Sequence, residues 1–258
     1  MISRFRLRSL AGAAMAAGLL GLTGACAYNE ELGRNQLSIV GGSQMASLGT
    51  TAWADVKTKQ KVSNDPKYTS RLDRVAPRIL RAAGEDPSKW DWEVFDSKEL
   101  NAFALPGNHF GVYTGIMDIM ANDDQLAAVV GHEVGHVRAN HSGERYSQQV
   151  GTSVALGAAQ AAIGTGTQTG RAALGALGLG AQYGVLLPFS RKHELEADKL
   201  GIQYMCRAGY DPNQAVVFWQ KMSASGGAKP PEIASTHPAD ETRIAQIRQI
   251  ISTLPPCK

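Results

Sequence analysis

The amino-acid sequence predicts an α+β fold, mainly helical, with one small antiparallel sheet. Two observations lead there. Short strand-like stretches gather between Trp90 and Tyr113. Apolar residues at helical spacing fill the segments on either side. The chain has 258 residues, 43% of them hydrophobic and 19% charged, which is enough for one buried core.

Residues 1–25 read as a secretory signal peptide. Arg4, Arg6 and Arg8 precede an apolar run from Leu10 to Leu22, and the small residues Thr23, Gly24 and Ala25 follow. The run is too short and too rich in Gly and Ala for a comfortable membrane span. Leu22-Thr23-Gly24-Ala25-Cys26 resembles a bacterial lipobox, with Thr in place of the usual Leu, and predicts lipidation at Cys26. Ala25-Cys26-Ala27 also fits ordinary small-x-small cleavage. The polar stretch 26–47 reads as a tether, and 48–258 as the folded domain.

Leu48 to Arg81 has helical spacing with a break at Asn64-Asp65-Pro66, hence one or two helices. Gly84 and Pro87 mark a loop. Trp90 to Phe95 alternates apolar and acidic residues as a strand does. Asn101 to Leu105 is a second strand, Pro106-Gly107-Asn108 a turn, and Phe110 to Tyr113 a third strand leading into a helix from Thr114 to Met120. Asn122 suits a helix N-cap, and Asp123 and Asp124 suit the positive end of the helix dipole. Leu126, Val129, Val130, Val134 and Val137 carry that helix to about Asn140. Residues 150–187 hold nine glycines and a single charge, Arg171. Polar residues interrupt both halves, so the insert reads as a mobile or buried helical hairpin rather than a span. Helices at Glu194 to Arg207 and Pro212 to Met222, a loop at 223–231 and an amphipathic helix from Asp240 to Ile251 complete the chain.

The formal charge of +3 comes from the leader. Without residues 1–25, 23 basic residues face 23 acidic ones, which gives no support for nucleic-acid binding. Of the three cysteines, a lipidated Cys26 would leave Cys206 and Cys257. An even remainder in an oxidising compartment predicts a disulfide between them.

The strongest chemical signal is His132-Glu133-Val134-Gly135-His136. On a helix, positions i and i+4 share a face, so both imidazoles reach one metal ion. Imidazole nitrogen suits zinc, and Glu133, beside the first ligand, can take a proton from a metal-activated water. A third ligand is needed. His141 lies five residues on, off that face, and reads as structural. Glu194 is the better candidate, since Asp198 stands one turn later and can orient a ligand histidine. Glu196 points about 200° away and reads as solvated, and His193 reads as a surface histidine.

With HEVGH followed by Glu194-Leu195-Glu196-Ala197-Asp198, the sequence resembles the gluzincin metallopeptidases of the HtpX and CAAX prenyl protease family, nearest to periplasmic members of the BepA and LoiP type. The likeness spans about residues 68–251. It implies a zincin-like domain holding one Zn2+ through His132, His136 and Glu194, with Glu133 as general base and Asp198 supporting the first histidine. Asn101, Phe103, Ala104 and Leu105 resemble an active-site edge strand that binds extended substrate by β-addition. Ala208 to Pro212, and Thr236-His237-Pro238 followed by Arg243, resemble the family's downstream segments.

His237 precedes Pro238, which keeps it extended and in a loop. Folded over the cleft, it would either donate to a developing oxyanion or occupy the open metal position and restrain the enzyme. Arg243 would anchor it. The partners implied are unfolded or misassembled envelope proteins, with membrane contact through an N-terminal lipid at the periplasmic face of the outer membrane. A soluble periplasmic protein, a chaperone-like assembly factor for outer-membrane proteins and a membrane-embedded prenyl-protein processor are the alternatives.

Overall fold

The computed structural model describes residues 26–163, 190–224, 237 and 241–257. The expected leader therefore lies outside the described residues, as do most of the Gly/Ala-rich insert and of the loop after Met222.

Three helix starts show how the sequence sets local structure. Helix α1 spans Gly42–Lys59 and α2 Pro66–Ala82. Asp65 caps α2 by accepting from the Lys67 amide, and Pro66 at the first position has no amide to leave unpaired. After the short α3 (Thr114–Asp118), Asn122 caps α4 (Asp123–Arg138) by accepting from the Gln125 amide. Helix α5 covers His141–Ile163. Ser190 caps α6 (Arg191–Arg207), accepting from the His193 amide. Helices α7 (Asn213–Ala224) and α8 (Glu241–Ser252) follow.

Strands β1 (Cys26–Asn29) and β2 (Arg34–Leu37) form a hairpin, and β3 (Asp91–Phe95), β4 (Ala102–Leu105) and β5 (His109–Tyr113) form the central sheet in the order β3-β5-β4. The expectation of an antiparallel sheet needs correction. β4 and β5 are antiparallel, joined through Gly107 and Asn108 at φ 86° and 70°, but β3 and β5 are parallel. Residue alternation identifies a strand; it carries no information on which strand lies beside it.

Both sheet faces are covered. Val94, Ala102, Phe110 and Val112 enter the main core with α2, α4, α6 and α7. Phe95, Leu105 and Tyr113 turn the other way and pack, with Phe103, against Trp53 of α1. Helix α4 lies at the centre, touching α2, α6, α7 and β4.

Residues 26–47 are not a tether. The β1–β2 hairpin docks on the junction of α4 and α5, where the buried Gln36 side chain donates to the Ala139 carbonyl at 2.7 Å and to Glu144 at 2.8 Å. Composition alone could not reveal this, because the anchoring groups are polar. A disulfide joins Cys206, at the end of α6, to Cys257. Among the described residues, no helix is long and apolar enough to cross a membrane.

Candidate metal centre

Helices α4 and α6 pack along a seam of small residues. A Cβ added at Gly135 would stand 2.8 Å from the Ala197 carbonyl oxygen, and one at Gly131 would stand 3.0 Å from that of Gly201. The absent side chains let the two backbones approach until His132, His136 and Glu194 face one another.

The donor atoms converge. His132 Nε2 and His136 Nε2 are 3.1 Å apart, and each lies 3.4 Å from a Glu194 oxygen. His237 joins them, its Nδ1 being 3.1 Å from His132 Nε2 and 3.0 Å from Glu194 Oε1. All four residues are buried, and together they can hold a metal ion. A tetrahedral ion with bonds of about 2.0–2.1 Å spaces its ligands by about 3.4 Å, so the donor set fits zinc in type and spacing. Glu133, 1% exposed, is also buried here. Its Oε1 makes no hydrogen bond among the described residues, and His237 Nε2 lies 3.7 Å away. A buried carboxylate oxygen without a hydrogen bond is costly, which fits a group kept for reaction rather than for stability.

His132 is held from behind. His132 Nδ1 lies 2.9 Å from Asp198 Oδ1, and Arg243 grips both Asp198 oxygens at 2.7 Å. The guanidinium lies over the Trp219 ring at 3.8 Å and reaches Glu194 at 3.0 Å and the His237 carbonyl at 3.3 Å. Burial works against the His132 imidazolium, but Asp198 outweighs it and lifts the pKa to about 9. Protons would therefore compete with any metal ion for this imidazole. Burial alone would raise Glu194, yet His237, His132 and His136 hold it well below the ordinary value.

A second histidine group adjoins the first. His141 Nδ1 is 2.9 Å from His136 Nδ1, and His141 Nε2 is 3.0 Å from Glu196 Oε2. The expected solvated Glu196 and surface His193 are both corrected. Glu196 is gripped by Arg34 at 2.7 and 2.8 Å, and His193 is buried, stacked on His141 and bonded to Glu144 at 3.2 Å. Helical angle places a residue around its own axis and says nothing about a hairpin packed on that side. Arg34, Glu144 and Trp219 had no sequence signal, since their partners lie in other elements, from 24 to 162 residues away.

Of the expected substrate strand, β4 is an edge, hydrogen-bonded only to β5 among the described strands. Asn101 extends the ladder, its carbonyl accepting from the Tyr113 amide. Phe103 stacks on Phe95 and meets Tyr113 edge-on. Its ring belongs to the aromatic cluster around Trp53.

Residues 66–251 match peptidase family M48, most of the described domain. The chain belongs to that family. Among its relatives are the mitochondrial metalloendopeptidase OMA1 of Schizosaccharomyces pombe, 36% identical over 189 residues, covering 71% of this chain and 54% of the relative. The beta-barrel assembly-enhancing protease of Escherichia coli is 28% identical over 233 residues, covering 88% and 47%. The OMA1 protein of Saccharomyces cerevisiae is 33% identical over 192 residues, covering 67% and 53%. The chain thus spans about half the length of the curated relatives it matches. M48 peptidases are metal-dependent, and the cluster of two histidines and a glutamate on α4 and α6 lies inside the matched region.

Proposed function

We propose that this chain is a zinc-dependent endopeptidase of the bacterial cell envelope, acting on misfolded or unassembled envelope and outer-membrane proteins. The observation that carries the reading is the convergence of His132, His136 and Glu194 beside a buried Glu133 oxygen that makes no hydrogen bond among the described residues. When bound, zinc would polarise the scissile carbonyl and activate water. Glu133 takes the water proton and returns it to the leaving amine. Asp198 and Arg243 keep His132 oriented, and the edge of β4 pairs with an extended peptide, a mode suited to unfolded chains. His237 acts as a restraint, because its Nδ1 stands among the ligand atoms and must withdraw for substrate to reach them.

The N-terminal reading goes with this. Residues 1–25 are a lipoprotein signal, and Cys26, exposed at the start of β1, carries the lipid. Ala27 rather than Asp after the cysteine favours outer-membrane sorting. Mass spectrometry of the mature N-terminus tests it, and a free terminus at Tyr28 would reject lipidation in favour of a soluble periplasmic protein.

The activity is tested on the purified mature chain by metal analysis and casein cleavage. Glu133→Gln should keep zinc and lose turnover, Glu194→Ala should lose zinc, and His237→Ala should raise basal cleavage. An unaltered zinc content in Glu194→Ala would refute the ligand set. The name of the Escherichia coli relative, which speaks of assembly, favours one second reading: a chaperone-like factor with little proteolysis. That role should survive Glu133→Gln, scored as suppressed aggregation of a denatured β-barrel precursor.

A further inference from the structure

The two histidines of the motif are held in parallel ways. Behind His132 stands a carboxylate, Asp198, gripped by the Nε and Nη2 atoms of Arg243. Behind His136 stands His141, then a carboxylate, Glu196, gripped by the Nε and Nη2 atoms of Arg34. We propose that His141, Glu196 and Arg34 position His136 for its metal, as Asp198 and Arg243 position His132. This rests on His132, His136 and Glu194 being the metal ligands.

The tautomers agree along the chain. His136 turns Nε2 towards Glu194 and His132, so its Nδ1 carries the proton and donates to His141 Nδ1. His141 then carries its proton on Nε2 and donates to Glu196 Oε2, 3.0 Å away. His141 is fully buried, and the low dielectric makes each of these bonds stronger and each lost partner more costly. Arg34 fixes the far end, with its Nη atoms also reaching Glu144 at 2.9 and 2.8 Å. A metal ion is a poor fit for the His141 group itself, because Arg34 already supplies the cation between its carboxylates.

Arg34 lies on β2, in the hairpin that begins at Cys26. The segment next to the proposed lipid thus takes part in holding a metal ligand.

The test uses the full mature chain. Zn2+ affinity is measured by competition with a chromophoric chelator, and ligand geometry by the visible spectrum of the Co2+ form. His141→Leu, Glu196→Gln and Arg34→Met should each weaken Zn2+ by about 10–100-fold and alter the Co2+ bands. His141→Gln, able to accept from His136 and donate to Glu196, should recover most of the affinity. Should His141→Leu fail to fold, Arg34→Met, altered near the surface, and Glu196→Gln decide the matter. Folded variants that lose stability but bind Zn2+ within about twofold of the parent, with unchanged Co2+ bands, would overturn the proposal. So would a Gln variant no better than Leu. His132→Ala serves as control: if it bound Zn2+ like the parent, the ligand set itself would fall, a result separate from failure of the positioning chain.

Discussion

Arg243 is buried at 4% exposure, yet it touches Asp198, Glu194, His237 and Trp219. Removing it leaves two buried carboxylates without their cation. Arg243→Ala should therefore destabilise the fold by about 3–5 kcal/mol. Arg243→Lys should restore only part of this, since an ammonium cannot make both bonds of the fork. Urea titration of the two variants checks it, and a Lys variant as stable as the parent would reject the fork as the reason. At this scale much was legible. His132, Glu133 and His136 form a motif whose spacing requires a helix, and Glu194 and Asp198 repeat the one-turn logic. His193 and Glu196 were misread because their partners are distant: Glu144 stands 49 residues before His193, and Arg34 stands 162 before Glu196.

Among the elements, the pairing of α4 with α6 makes the centre. Both helices show in the sequence through caps and apolar spacing, but their closeness depends on Gly131, Gly135, Ala197 and Gly201, which read only as small residues. Gly135→Val would place its Cβ 2.8 Å from the Ala197 oxygen. Overpacking of this kind costs about 1–3 kcal/mol. The expected outcome is a folded protein with a lower melting midpoint and weaker Zn2+ binding, read by calorimetry and chelator competition. Unchanged Zn2+ affinity would mean that the helices need not be this close. The central strands were found in order at nearly the right residues, whereas the parallel pairing of β3 with β5 was not. Pairing is decided by how the segment between β3 and β4 carries the chain, a long-range matter.

For the whole molecule, segments near both limits of the described residues are fastened to the middle. The Cys206–Cys257 bond spans 51 residues and ties the tail to α6. Its loss should lower stability by about 2–4 kcal/mol, measured as a shift of the urea midpoint in Cys206→Ser/Cys257→Ser. At the other end, Arg34 binds Glu144 and Glu196. Burial opposes the Glu196 carboxylate, but His141 and Arg34 outweigh it and hold its pKa at about 2, below the ordinary 4.5. A depressed carboxylate contributes stability in full above its unfolded value, and the contribution is lost as pH falls from about 4.5 towards 2. Stability should drop over that window, and Glu196→Gln should flatten the drop. An equally steep fall in the variant would assign the acid sensitivity elsewhere.

By itself the sequence determined the mainly helical α+β class, the order of the elements between Leu48 and Asn140, the motif helix, the helix that carries Glu194 and the cysteine pair. These rest on local spacing, capping chemistry and residue type, all written in neighbouring positions. Only the tertiary structure decided the mixed sheet, the docking of the β1–β2 hairpin and the chain from Arg34 through Glu196 and His141 to His136. Such contacts join polar groups far apart in sequence. A polar residue beside water and one gripped in a buried network are the same letter, and only the packed fold decides which it becomes.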